Sequence, residues 1–350
     1  MKKAFLFLCL ILLFGIMKGQ QNIDDYDKTC YCSGKTPHSV LRYDNNWQLL
    51  WAFKSGLSKS GLDSLHIPYT DSQLRLLSIF KLIRVEGDKY YTDIPILDSN
   101  KTNQLRIRSK EIAESIIPFI NNDIKSLVSY LNSTNYSENQ FSILFSYILD
   151  GLVWDKFEEK KLITPLNLTT SNYPWVGAFW LLTPARKTSH GTNTFSDSTF
   201  KIGITSGCDK LTNGGELINL MLRNYIDKGK VTDENVLKAF GQYYLFNQNG
   251  ELTIPIIVEN NQNELYVLAS QIADKICLQL VSNSIFNKVI GDFNFTNKEN
   301  AVIIMYHEVM WDLLAKIEEI KLIEKPLIIT NPSKAEMKDA SKLVYIVRKN

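Results

Sequence analysis

The sequence predicts a mainly α-helical fold with small β-hairpins, an α+β chain built as two tandem modules. Three observations predict it. Apolar residues recur at helical spacing at 105, 112, 116 and 120, and again at 265, 272, 276 and 280. Strand-like runs in "RVEGDKYYTDIPIL" flank Glu86-Gly87-Asp88, where glycine supplies the freedom of a hairpin turn. The tripeptide Ile-Pro-Ile stands at 94–96 and returns at 254–256. A chain of 350 residues with 45% hydrophobic and 22% charged residues suits about two globular domains.

The amino terminus, "MKKAFLFLCLILLFGIMKGQQ", opens with Lys2 and Lys3 and continues as an apolar run from Ala4 to Met17. That run is shorter than the roughly 20 residues that span a bilayer, and its layout is that of a secretory signal peptide over residues 1–19. Gly19 is small enough to precede the cut, whereas Met17 is large for its slot, which leaves an uncleaved N-terminal membrane anchor open. Either way the lysines stay inside and the remainder is exported, to the periplasm, the cell surface or the medium. No membrane span is expected after leader cleavage. Cys9 lies mid-run without a lipid-attachment context.

An N-terminal segment, 20–45, precedes the first module, 46–165. There "NWQLLWAFKSG" reads as a helix, and "SKSGLDSLH" as a second ended by Pro68. "TDSQLRLLSIFKLI" is a third, capped by Thr70 or Asp71, with Leu74, Leu77 and Ile83 turned inward. The hairpin follows, and after Ile94-Pro95-Ile96 a long amphipathic helix. The second module, 166–330, repeats this more loosely. "YPWVGAFWLL" (173–182) is expected to begin it as a buried segment. "GGELINLMLRNYIDKG" and "TDENVLKAFGQYYLF" are helical, and "NQNG" is the turn before Ile254. Residues 331–350 read as a C-terminal tail.

Aligned without gaps 160 residues apart, 90–120 and 250–280 match at Ile-Pro-Ile, at Asn100 and Asn260, at Asn103 and Asn263, and at the helix's inward positions. "WDKFEEKKLI" (154–163) rhymes with "WDLLAKIEEIKLI" (311–323), with three extra residues. These matches predict a tandem duplication with a period too long for a solenoid. Three helices and a hairpin in this order resemble a winged helix-turn-helix over about 46–97 and, more loosely, 215–257. The resemblance rests on element order alone.

A winged helix raises the question of DNA. Net charge is +2, with 39 basic and 37 acidic residues, so no polyanion is drawn to the whole molecule. The third helix offers Gln73, Arg75 and Lys81 against Asp71. Its counterpart sets Asp233 and Glu234 against Lys238 alone, and Glu86 and Asp88 offset Arg84 and Lys89 on the wing. Export would also remove the genome from reach. Nucleic acid is therefore not the expected partner. A DNA-binding regulator stays open if the leader is not an export signal.

For catalysis, residue types gather at one place, "KTSHGTNTFSDSTFKIGITSGCDK" (187–210), which holds His190, Ser196, Asp197, Ser206 and Cys208. "GITSG" places its serine fourth, so it forms no nucleophile elbow. Cys208 and His190 would act as nucleophile and base only if folding joined them; otherwise this is a polar surface loop. Of the other histidines, His38 reads as a loop residue and His66 as a cap or turn residue. His307 reads as part of a helix contact beside Trp311. An oxidising compartment would let Cys30 and Cys32 bond to Cys208 and Cys277, although Cys277 in "IADKICLQL" equally suits a buried position. Sequons at Asn100, Asn132, Asn135, Asn167 and Asn294 are expected by chance in so Asn-rich a bacterial product. No catalytic, cofactor-binding or metal-ligating residue is assigned. The expectation is a non-enzymatic binding or scaffolding protein with protein partners in the envelope; the rival is a secreted hydrolase using 187–210.

Overall fold

A computed structural model describes residues 22–187, 190–196, 199–205, 215–292 and 297–349. The leader (1–19), Asp197, Ser206, Cys208 and the sequon at Asn294 lie outside the described residues. The chain is an α+β protein, mainly helical with small sheets. It packs as two compact units, one drawn from 1–106, 164–187 and 290–304, the other from 107–163, 188–289 and 305–350. The stretches 46–165 and 166–330, expected from sequence to be two modules, each contribute residues to both units.

In the first unit, β1 (Asp27–Gly34) precedes helix α1 (Asn46–Ala52), strand β2 (Leu57–Ser58), helix α2 (Lys59–Ser64) and helix α3 (Asp71–Ile79). Thr70 caps α3 in a capping box: its hydroxyl accepts from Gln73 N at 3.1 Å, and the Gln73 side chain accepts from Thr70 N at 2.9 Å. Strands β3 (Ile83–Glu86) and β4 (Lys89–Thr92) form the hairpin, with Gly87 at φ +63°, and β4 also pairs with β2. Leu49, Leu50, Phe53, Leu62 and Leu77 are completely buried between these helices and the hairpin. Each such side chain contributes about 1.5–3 kcal/mol by leaving water.

A second small sheet of this unit has the order β1-β6-β5, from β5 (Ile96–Leu97) and β6 (Trp175–Leu182). Residues 173–182, assigned from sequence to the start of the second module, thus supply the central strand of the first unit. An apolar run buried on both faces suits such a strand, but its neighbours are not written in it. Asp98 caps α4 (Ser99–Asn132), accepting from Lys101 N at 2.9 Å.

The second unit contains residues 107–132 of α4, a π-helix (Ile143–Leu152) continued by α5 (Val153–Glu159), and strands β7 (Thr192–Ser196) and β8 (Phe200–Thr205). Helices α6 (Gly215–Lys228) and α7 (Glu234–Phe240), strand β9 (Ile256–Val258), and helices α8 (Glu264–Ser282) and α9 (Ser284–Asp292) follow. Helix α10 (Lys298–Glu319) belongs to this unit from Met305 onward, and β10 (Val344–Arg348) closes a sheet of order β7-β8-β10-β9. Residues 331–350, read as a tail, therefore hold a buried inner strand. Asp233 caps α7, and Gly250 turns the chain at φ +79°, where an added Cβ would meet Val231 O at 2.0 Å.

The two passages around Ile-Pro-Ile share backbone detail. Leu181 N donates to Pro95 O at 2.9 Å, and Ile346 N to Pro255 O at 2.8 Å, each joining a parallel strand pair. The inward positions Leu105, Ile112, Ile116 and Ile120 are fully buried, as are Ile272, Ile276 and Leu280, and Leu265 nearly so. Lys161 and Lys321 both end their helices in the left-handed region, at φ +56° and +55°. Burial classes over 153–164 repeat residue by residue over 313–324.

Candidate functional site

The chemistry of the second unit centres on the π-helix, "ILFSYILDGL", almost wholly apolar and buried. A π-turn widens the helix and frees backbone carbonyls, and such turns cluster at functional sites. Here Tyr306 Oη donates to Leu149 O, and Ser146 shares a hydrogen bond with Thr205 on β8. Asp150 is the one acid in this run. Its Oδ1 accepts from Trp154 Nε1 at 3.1 Å. Burial pushes the Asp150 carboxyl up to about 6, against the pull of Thr192, Trp154 and the Lys201 ammonium. Thr192 Oγ1 is buried, close enough to influence Asp150 but outside hydrogen-bond geometry. A carboxyl raised in this way is a candidate acid–base group.

A second carboxyl lies at the carboxyl end of β9. Tyr147 Oη reaches Glu259 Oε1 at 3.4 Å, and the Tyr147 ring stands 5.5 Å edge-on to Tyr345. The Tyr345 ring covers Gly203 across the strand pair, where any Cβ would meet it at 2.2 Å. Burial raises the Glu259 carboxyl and the Asp155 charge adds to this, while Lys201 and Lys349 oppose it. The Lys201 charge thus opposes the rise at both Asp150 and Glu259.

Of the residues singled out in 187–210, His190 lies in an aromatic cage. Its ring is 5.3 Å from Phe141, 5.9 Å from Phe145 and 5.7 Å from Trp311. Nε2 is buried and has no hydrogen-bond partner among the described residues. Burial, with a smaller push from Lys325, lowers the imidazole to about 4, so it is neutral at pH 7. Ser196 is exposed at the end of β7.

The other histidines have structural ties. His307 is buried and its Nδ1 accepts from Trp311 Nε1 at 3.1 Å. His66 ends α2 at φ +54°. His38 is more than a loop residue: Nδ1 meets Thr36 Oγ1 at 2.9 Å, Nε2 meets Lys28 O at 3.0 Å, and the ring lies edge-on to Phe179. Of the two readings left open for Cys277, a disulfide or a buried thiol, the structure has the buried thiol. It is free and completely buried in α8, and burial pushes it up to about 11. Among the described residues, no group of three His, Cys, Asp or Glu side chains could hold a metal ion.

Sequence reasoning missed Asp150. The signal was present, since a lone acid inside an apolar run must be solvated, paired or neutralised. No family model matches the chain, and no curated protein or solved structure matches it either.

Proposed function

We propose that this is an exported binding or scaffolding protein, built of two winged-helix-like modules each followed by long helices, with protein partners in the envelope. The observation that carries the reading is the doubled backbone frame: the Pro95 and Pro255 carbonyls, the capped helices after them, and the matching left-handed ends at Lys161 and Lys321. A doubled frame multiplies presented surface, and fold alone fixes no reaction. The leader-like start supports export, and the near-balance of charge argues against a nucleic-acid partner.

Fractionation of cells expressing the tagged chain tests the reading. Recovery from the envelope or medium supports it. The whole chain in the cytosol overturns it and revives the DNA-binding regulator.

A second reading, a secreted hydrolase, is favoured by the Asp150 carboxyl, which accepts from Trp154 Nε1 within the π-helix and which burial raises to about 6 against the opposing Lys201 charge. It moves the expected reaction centre from Cys208 and His190 to the π-helix. Turnover of ester, peptide or glycoside substrates by purified protein, lost in Asp150→Asn and kept in Cys208→Ser, would establish it.

A further inference from the structure

In the second unit α4 and α8 run antiparallel. Lys275 Nζ donates to Asp123 Oδ2 at 2.6 Å, and Asn283 Nδ2 to Ser115 Oγ at 3.2 Å. The register has a symmetry that rests on the doubled-module reading. Ser115 and Lys275 occupy the same place in the two copies, 160 residues apart, and so do Asp123 and Asn283. Each contact therefore joins position 115 of one copy to position 123 of the other. Exchanging the copies turns one contact into its mate.

An isologous interface has this property, in which residue i meets j and j meets i about a two-fold axis. The neighbouring helices follow the same exchange. Helix α8 packs on the π-helix and α5, and α4 reaches α10, where Ser109 Oγ donates to Asp312. Lys156 pairs with Glu159 at 3.3 Å, and the equivalent Lys316 pairs with Glu319 at 2.9 Å.

We propose that this interface is a homodimer interface enclosed within one chain, and that its faces on α4 and α8 fit a second copy of this chain by reciprocal exchange. The contacts within a monomer and within an exchanged dimer are the same, so contact energy does not separate them. What favours the closed monomer is the effective concentration of two copies on one chain, on the order of mM for a flexible tether. Refolding at high protein concentration competes with that and yields the exchanged dimer.

Cysteine trapping in the full chain tests this. Ser115→Cys/Asn283→Cys is expected to form a 115–283 bond within one chain on oxidation, and Asp123→Cys/Lys275→Cys a 123–275 bond. Peptide mapping separates these from any bond of the native cysteines. Ser115→Cys and Asn283→Cys chains are then mixed, unfolded, refolded together at high concentration and oxidised. The expected product is a covalent dimer joined through 115 and 283. Soluble refolded protein without that dimer, while the double variants close within the chain, overturns the exchange alone. Failure of both double variants to close overturns the antiparallel register, and with it the doubled-module reading.

Discussion

Two half-buried groups of the second unit have opposite pH signatures, and separating them tests the electrostatics of the site. The Asp150 carboxyl sits at about 6 against an ordinary 3.8, through burial. The His190 imidazole sits at about 4 against 6.5, through burial and Lys325. At 1.36 kcal/mol per pH unit, each shift corresponds to about 3 kcal/mol. Between pH 4 and 6 the folded chain keeps the Asp150 proton that the unfolded chain releases, so this term loses stability as pH rises. Between pH 6.5 and 4 the unfolded chain takes up the His190 proton that the folded chain refuses, so that term loses stability as pH falls. In the wild type the two slopes largely cancel.

Asp150→Asn keeps an acceptor for Trp154 and removes the titration. Its advantage over the wild type is expected to be near zero at pH 4 and to reach about 3 kcal/mol at pH 7. His190→Phe suits the cage of Phe141, Phe145 and Trp311, and its advantage should instead grow by about 3 kcal/mol from pH 7 down to pH 4. Urea unfolding at pH 4, 5, 6 and 7, read as the difference between variant and wild type, cancels every other titrating group. Differences that do not vary with pH, or that vary in the opposite sense, would refute the assignment of the two burial shifts.

Thr70→Ala removes the capping box of α3 and should cost about 1 kcal/mol by thermal unfolding, whereas Thr70→Ser should cost a few tenths. Gly250→Ala places a methyl 2.0 Å from Val231 O in a left-handed turn, so it should destabilise by more than about 1 kcal/mol; an unchanged unfolding midpoint would contradict the turn. Cys277→Ala should change stability alike with and without reductant, because the native thiol is free. A loss confined to oxidising conditions would mean that Cys277 bonds after all.

What was legible in the sequence was local. Thr70 and Gln73 announce α3, the 3.6-residue spacing of Leu105, Ile112, Ile116 and Ile120 gives the buried stripe of α4, and Gly87 gives the hairpin. What was not legible was which distant segments pair. "WVGAFWLL" is a sound buried strand, yet nothing in it names Asp27–Gly34 and Ile96–Leu97 as neighbours. "VYIVR" near the C-terminus lies between β8 and β9 for the same reason. A strand's partners are fixed by long-range packing and register rather than by its own composition. The candidate site was hidden likewise, because Asp150 gains its shifted carboxyl only when β7 and β8 cover it.

The doubled frame bears on why Asp150 is there at all. At a spacing of 160, its counterpart is Met310, completely buried in α10, and the counterpart of Glu259 is Ser99. On the doubled-module reading, the same position accepts an apolar side chain in one copy and holds a carboxylate in the other. The carboxylate costs about 3 kcal/mol at neutral pH by the shift of its titration, whereas Met310 is completely buried with no group to titrate. If the acid acts in binding or turnover rather than in folding, it is expendable for stability. The consequence is measurable with Asp150→Met, which copies the other half: it should fold at least as stably as the wild type at pH 7 and lose whatever binding or turnover the chain performs. An Asp150→Met chain that unfolds more readily at pH 7 would show instead that the carboxylate is structural, through Trp154 and Thr192.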